Sequence, residues 1–150
     1  MRRGLAAIVA TGAALAACGG AAQSETTAAA DVEDGLIICA MPNYDGVAGI
    51  TVTQSFILTD GRVKRYSDFN NQAFDLCQAG QENCALKIEN GVIRMDWTSA
   101  NGTRSRYDVD LGTLDIAAYT TKTGEAERPV AFQEGAKCVR EPLPEGLQVM

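Results

Sequence analysis

From Leu36 onward, apolar and polar residues alternate in short runs separated by glycine-bearing turns, with no sustained stretch of helical spacing. The alternation predicts strands at Leu36 to Met41, Ile50 to Leu58, Arg62 to Ser67, Ala73 to Cys77, Cys84 to Glu89, Val92 to Ser99, Thr103 to Leu111 and Leu114 to Thr121. Two shorter runs follow, Val130 to Phe132 and Ala136 to Arg140. The fold class is all-β: an antiparallel up-and-down meander closing into a small barrel or sandwich.

Side-chain parity tests the connections. A two-residue Asn90-Gly91 turn of type I′ sets Ile88 opposite Ile93 and Leu86 opposite Met95, apolar against apolar. A two-residue Asn101-Gly102 loop would set Trp97 against Arg106 and mix the faces. A three-residue Ala100-Asn101-Gly102 loop instead pairs Met95 with Tyr107 and Ile93 with Val109, leaving Asp96 opposite Arg106 and Arg94 opposite Asp108 outside. A Gly112-Thr113 turn of type II′ pairs Leu111 with Leu114, Val109 with Ile116 and Tyr107 with Ala118. The Asp60-Gly61 connection resists this test, because neither loop length separates Phe56, Ile57, Val63 and Arg65 onto clean faces, and its register stays open. Lys87, Arg94, Asp96, Arg106, Asp108 and Asp110 on the outer face argue against a transmembrane barrel, which needs an apolar band there.

The first residues follow a different rule. Arg2 and Arg3 precede thirteen Ala-rich residues from Leu5 to Ala17, a charged start and short apolar core of secretory type. A bilayer-crossing helix needs roughly twenty apolar residues. Leu15-Ala16-Ala17-Cys18 resembles the lipobox of bacterial lipoproteins. That resemblance implies cleavage before Cys18, diacylglyceryl and acyl groups on Cys18, and a lipid-anchored place in the bacterial cell envelope. Gly19, rather than aspartate, follows the lipidated position, which by the family's sorting rule implies the outer membrane. The expected organisation is a signal peptide at 1–17, a flexible tether at 18–35, a β domain at 36–141 and an extended tail at 142–150. A tether so small and polar cannot bury enough surface to order itself.

Charge narrows the partners. The whole chain carries a net charge of −6, and loss of residues 1–17 leaves 11 basic against 19 acidic side chains, or −8. Nucleic-acid binding depends on Lys and Arg neutralising phosphates, so nucleic acid is excluded as the expected partner. The expected contacts are the membrane, through the lipid groups, and a basic envelope protein or a cell-wall component.

With Cys18 committed to lipid, four cysteines remain for an oxidising compartment, consistent with two disulfides. Three connectivities are open; the preferred one joins Cys77 with Cys84 and Cys39 with Cys138. The latter would tie the first and last strands together and favours barrel closure. Six residues between Cys77 and Cys84 and no histidine anywhere disfavour a zinc site, so neither metal nor cofactor is expected. The acidic Asp31 to Gly35 stretch lacks the ligand alternation of a calcium loop.

Without histidine, Ser-His and Cys-His catalysis is closed off. Asp96, Asp108 and Asp110 would have to serve a carboxylate-dependent cell-wall glycoside hydrolase, yet their place beside Arg94 and Arg106 reads as an ion-pair ladder. Trp97 shares parity with Ile93 and Met95 and is expected in the core near Cys84. Tyr44, in Pro42-Asn43-Tyr44-Asp45-Gly46, lies in a connection suited to partner contact. Tyr44, Asp96 and Asp108 are therefore the candidate binding residues, with no catalytic residue assigned. The leading expectation is a non-catalytic, lipid-anchored binding module. A loose similarity to the small-barrel lysozyme-inhibitor lipoproteins, through the anchor, the cysteine-tied β domain and the acidic charge, implies a periplasmic inhibitor of a basic lysozyme-type enzyme as the alternative. No inhibitory motif matches residue by residue, so no site is carried over.

Overall fold

Two-residue alternation becomes eleven strands in a computed structural model that describes residues 32–78 and 81–150. The expected signal peptide, Cys18 and the tether up to residue 31 lie outside the described residues. The strands are β1 (Gly35–Pro42), β2 (Thr51–Thr59), β3 (Arg62–Ser67), β4 (Gln72–Phe74), β5 (Cys84–Glu89), β6 (Val92–Thr98), β7 (Arg104–Asp110), β8 (Ile116–Thr121), β9 (Arg128–Pro129), β10 (Cys138–Glu141) and β11 (Gln148–Val149). A single 3-10 turn, Tyr44–Gly46, follows β1.

The strands form two sheets. The first has the order β10-β1-β2-β3-β4-β11 and the second β5-β6-β7-β8-β9. The chain is all-β with two disulfides, Cys39–Cys138 and Cys77–Cys84. A single closed ladder, the barrel favoured by the sequence, is not what the hydrogen bonding makes. The ladder breaks because β4 ends at Phe74 and the chain then passes through the Cys77–Cys84 staple before β5 starts a second sheet. At one corner the sheets are joined, where the Cys138 amide donates to the Leu114 carbonyl (2.8 Å) and Asp115 bridges Lys137. Cys39 and Cys138 sit opposite each other on paired β1 and β10, so the long tie does hold the first strand to a late one.

Between the sheets lies the main core: Ile37, Cys39, Met41, Phe56 and Leu58 from the first, and Ile93, Met95, Tyr107, Val109, Ile116 and Ala118 from the second. Each fully buried aliphatic or aromatic side chain here contributes roughly 1.5–3 kcal/mol. In the second sheet the expected pairings within the strands are present, including Ile88 with Ile93, Met95 with Tyr107, Arg94 with Asp108 and Val109 with Ile116, whereas the expected Leu111 with Leu114 pair is not, because both residues belong to the turn. Asn90 and Gly91 both take positive φ, as type I′ requires, and Gly102 (φ 80°) occupies the left-handed place in the three-residue loop.

The last hairpin keeps its register but changes its turn. Gly112 is not left-handed; Leu114 is, at φ 59°. The Asp110 carboxylate accepts hydrogen bonds from the Gly112 and Thr113 amides (2.8 and 2.9 Å), so four residues close over it rather than two. Two-residue and four-residue loops give the same side-chain parity, which is why parity could not separate them.

The first sheet differs because part of its outer face is covered as well as its inner one. Asp60 (φ 51°) and Gly61 (φ 69°) form a two-residue type I′ turn that pairs Leu58 with Val63 and Phe56 with Arg65. Ile57, on the opposite face, is buried in a second cluster with Leu36 and Ala73, against which Ile38, Tyr66 and Leu147 pack. Leu147 belongs to the tail. Residues 142–150, expected to run free of the domain, instead fold back, and β11 pairs parallel with β4 (Gln148 with Gln72, Val149 with Ala73). Burial on both faces of β2 erases the alternation on which the turn assignment depends. Near the C-terminal end, the expected strand at Val130 to Phe132 is replaced by Arg128–Pro129 at the sheet edge, with Val130 still donating to Ala118.

Candidate functional site

Strand directions give the sandwich two poles. The chain comes in at one, where Val32 and Glu33 share a cleft with Gly91, Leu111, Gly112, Leu114 and Arg140. At the opposite pole lie the connection from Asn43 to Ile50, the turn from Asp68 to Asn71, the loop from Ser99 to Thr103 and the segment before β9. The first described residues thus lie at the pole opposite these loops.

The connection from Asn43 to Ile50 is held tightly for a loop. Asn43 and Asp45 take left-handed φ of 54°, and the Asn43 side-chain oxygen accepts from the Gly49 amide (3.1 Å). The Asp45 carboxylate binds the Arg128 guanidinium through two contacts of 3.0 and 3.2 Å, and the Tyr44 hydroxyl meets the Tyr107 hydroxyl at 2.8 Å. Tyr107 in turn stacks on Trp97, with ring centroids 5.6 Å apart and planes 11° from parallel. Trp97 lies opposite Cys84 and packs against the core, where its parity with Met95 placed it. Tyr44 is half-buried; that burial, followed by its bond to Tyr107, pushes its pKa far above the ordinary phenol range. It fixes the loop rather than offering its hydroxyl to a partner. The side chains the loop does present are Val47 and Ile50, 54% and 50% exposed.

Phe69, in the Asp68-Phe69-Asn70-Asn71 turn of the same pole, is 96% exposed. Sequence reasoning passed over Val47, Ile50 and Phe69. A legible signal existed for the last: a lone aromatic ring among turn formers, with no alternating run around it to bury it.

Asp96 and Asp108 lie elsewhere, on the outer face of the second sheet, and the structure does not bring them to Tyr44. Asp108 pairs with Arg94 (2.9 Å) and Arg106 (3.4 Å), and Arg106 reaches Glu127 (3.0 Å) while lying over the Tyr119 ring, 4.1 Å from its centroid. Asp96 is held by Arg104 rather than by Arg106, its cross-strand neighbour. Their side chains are only 16% and 18% exposed, each committed to a guanidinium. Asp96 also lines a polar surface cleft of about 320 Å³ with Glu82, Asn83, Cys84, Ala85, Thr98 and Arg104.

No protein-family model matches the chain, and no curated protein matches it. The site therefore rests on geometry alone. The carboxylates with displaced titration all move down: Asp45 through its bond to Arg128, Asp110 through the Thr113 and Gly112 amides, and Asp115 through Lys137. Among the described residues no cluster of three or more His, Cys, Asp or Glu side chains has the arrangement of a metal site.

Proposed function

We propose that this chain is a lipid-anchored protein of the bacterial cell envelope, preferably of the outer membrane, whose β domain is a non-catalytic module that grips a partner with the pole opposite its tether. The observation that carries this reading is the set of large apolar side chains presented at that pole: Val47 and Ile50 on a loop pinned by Tyr44 and Asp45, and Phe69 on the turn between β3 and β4. Exposed apolar groups on a preorganised frame favour binding, because little ordering entropy is lost when a partner closes over them. Anchoring rests on the lipobox-like Leu15-Ala16-Ala17-Cys18.

The hydrolase alternative draws no support from the site. A glycoside hydrolase needs a carboxylic acid with a raised pKa facing a second carboxylate. Asp96 and Asp108 are instead each bonded to arginine, and the displaced carboxylates move the other way.

The reading is tested by a crosslinking pull-down from intact envelopes with wild-type protein and Cys18→Ser. Wild type is expected to recover a defined envelope protein or cell-wall fragment and to yield an N-terminal Cys18 bearing acyl chains by mass spectrometry. A native peptide running uncut through Cys18, or recovery of no specific partner, would contradict it.

A further inference from the structure

The tail is a strap across the outer face of the first sheet, from the β10 edge to the β4 edge. Among the described residues, its ties gather at the β4 end and leave Pro142 to Pro144 without one. The Asn71 side chain donates to the Glu145 carbonyl (2.8 Å), the Gln148 amide donates to the Asn71 carbonyl (3.0 Å), the Met150 amide donates to the Ala73 carbonyl (2.9 Å), and the side chains of Gln72 and Lys64 donate to the Gln148 side-chain oxygen (3.2 Å) and the Met150 carbonyl (2.5 Å). The Tyr66 hydroxyl donates to the Asn71 side-chain oxygen (3.1 Å), orienting that amide toward the strap. Leu147 is its one side chain in the second apolar cluster, while Leu143, Val149 and Met150 remain exposed.

Beneath the strap lies something better built than the strap itself. Ile57 and Ala73 are fully buried and Leu36 nearly so, forming an apolar floor beside a β4 edge that pairs with only two residues of β11. If the strap lifts, that floor and the unpaired β4 backbone form a groove for an extended chain, with main-chain bonds supplying affinity and one apolar pocket supplying selectivity. The mouth of this groove adjoins Phe69, because Asn71, which holds the strap, ends the turn that presents Phe69.

We propose that the strap is a displaceable, self-supplied occupant of a peptide-binding groove, and that the groove takes an extended, leucine-bearing segment of a partner protein laid parallel to β4. This deepens the binding-module reading and rests on it for the existence of a partner. The chemistry of the segment is copied from the strap: a leucine for the Leu36, Ile57 and Ala73 floor, followed by residues free to make main-chain bonds along Gln72 and Ala73.

The probe is a synthetic fluorescein-labelled peptide of residues 142–150, titrated against the full chain and its Leu147→Asp variant, with anisotropy as readout. The variant strap cannot seat a charge on the apolar floor, so the peptide is expected to bind the variant at least tenfold more tightly than wild type. A peptide carrying the same Leu147→Asp change is expected not to saturate. Equal affinity for both folded proteins, or no binding to either, would overturn the proposal. Leu147→Ala, which removes the strap's apolar anchor without adding charge and leaves every groove residue in place, serves if Leu147→Asp fails to fold. In wild type, hydrogen exchange at the Gln148 and Met150 amides is expected to be at least a hundredfold faster than in β6 and β7; equal protection of strap and core would equally overturn it. The peptide assay involves neither envelope nor anchor, so its failure is distinct from failure of the pull-down.

Discussion

The two sheets answer the same physical problem in opposite ways. The second buries one face against the core and gives the other to water, where Lys87, Glu89, Arg94, Asp96, Arg104, Arg106, Asp108 and Glu127 neutralise one another in a ladder. The first buries its inner face against the same core and covers much of its outer face with the chain's own tail. A one-sided sheet advertises its register in its alternation, whereas a two-sided one hides it. The charges of that ladder are spent on one another, and Asp110 at its end is spent on the turn amides of Gly112 and Thr113. The covered sheet holds its apolar surface under a strap and borders the exposed Phe69.

The sharpest way to break the comparison is to cut the ties. The Cys39–Cys138 bond closes a sequence separation of 99 within the first sheet, and the chain-entropy model assigns a loop of that size roughly 4.7 kcal/mol. The Cys77–Cys84 staple, with a separation of 7, is assigned roughly 2.5 kcal/mol by the same relation. Replacing each pair by alanine and measuring urea unfolding is expected to preserve that order; a costlier loss from the short staple would reverse our view of which sheet is held by covalent closure.

A smaller effect tests whether the outer face of the first sheet is a true second core. Ile57→Ala is expected to cost about 2–5 kcal/mol, like Ile93→Ala in the main core, because both remove a fully buried side chain. On a solvated face it would cost no more than about 0.5 kcal/mol. Smaller still are the ladder variants. Arg94→Ala and Asp108→Ala, combined in a double-mutant cycle, are expected to show a coupling of about 0.2–1 kcal/mol that shrinks as salt is raised, since the Arg94 side chain is 41% exposed. A coupling above about 2 kcal/mol would mean that the ladder is not merely a solvated face.

The pH dependence is expected to be the mildest signal and to appear at both extremes. Asp45, Asp110 and Asp115 have depressed folded pKa values, so their contribution is present above the ordinary 3.8 and lost as pH falls through the folded values. Tyr44 is the reverse. Its raised value means the fold favours the neutral phenol, a contribution present below 10.0 and lost as pH rises through the folded value. Tyr44→Phe is expected to flatten the alkaline decline in thermal stability while leaving the acid limb unchanged; an unchanged alkaline decline would place its origin elsewhere.

The same contrast governs how much was legible in the sequence. The registers from β5 to β8 follow from Ile88, Ile93, Met95, Tyr107 and Val109, whose apolar parity admits one arrangement. Both disulfides could be preferred from spacing and compartment. The Asp60-Gly61 register was illegible because Ile57 and Leu58 are both buried, one on each face, and an alternation rule that assigns one face to water cannot place two adjacent buried residues. The strap was illegible because two residues of β11 carry no periodicity, and Pro142 and Pro144 read as an exit. At the candidate site, composition drew attention to Asp96 and Asp108, whose charges are spent on arginines, and to Tyr44, whose hydroxyl faces inward. Phe69 was legible only as a lone aromatic ring among turn formers, and the fold adds that nothing covers it.

The claim that a partner is gripped at the pole away from the tether is tested most directly by placing a photoreactive phenylalanine analogue at Phe69 and, separately, at Ala117 beside the charge ladder, then irradiating intact envelopes. The account predicts a discrete crosslinked species from position 69 and none from position 117. Crosslinking at 117 alone, or equally at both positions, would contradict it.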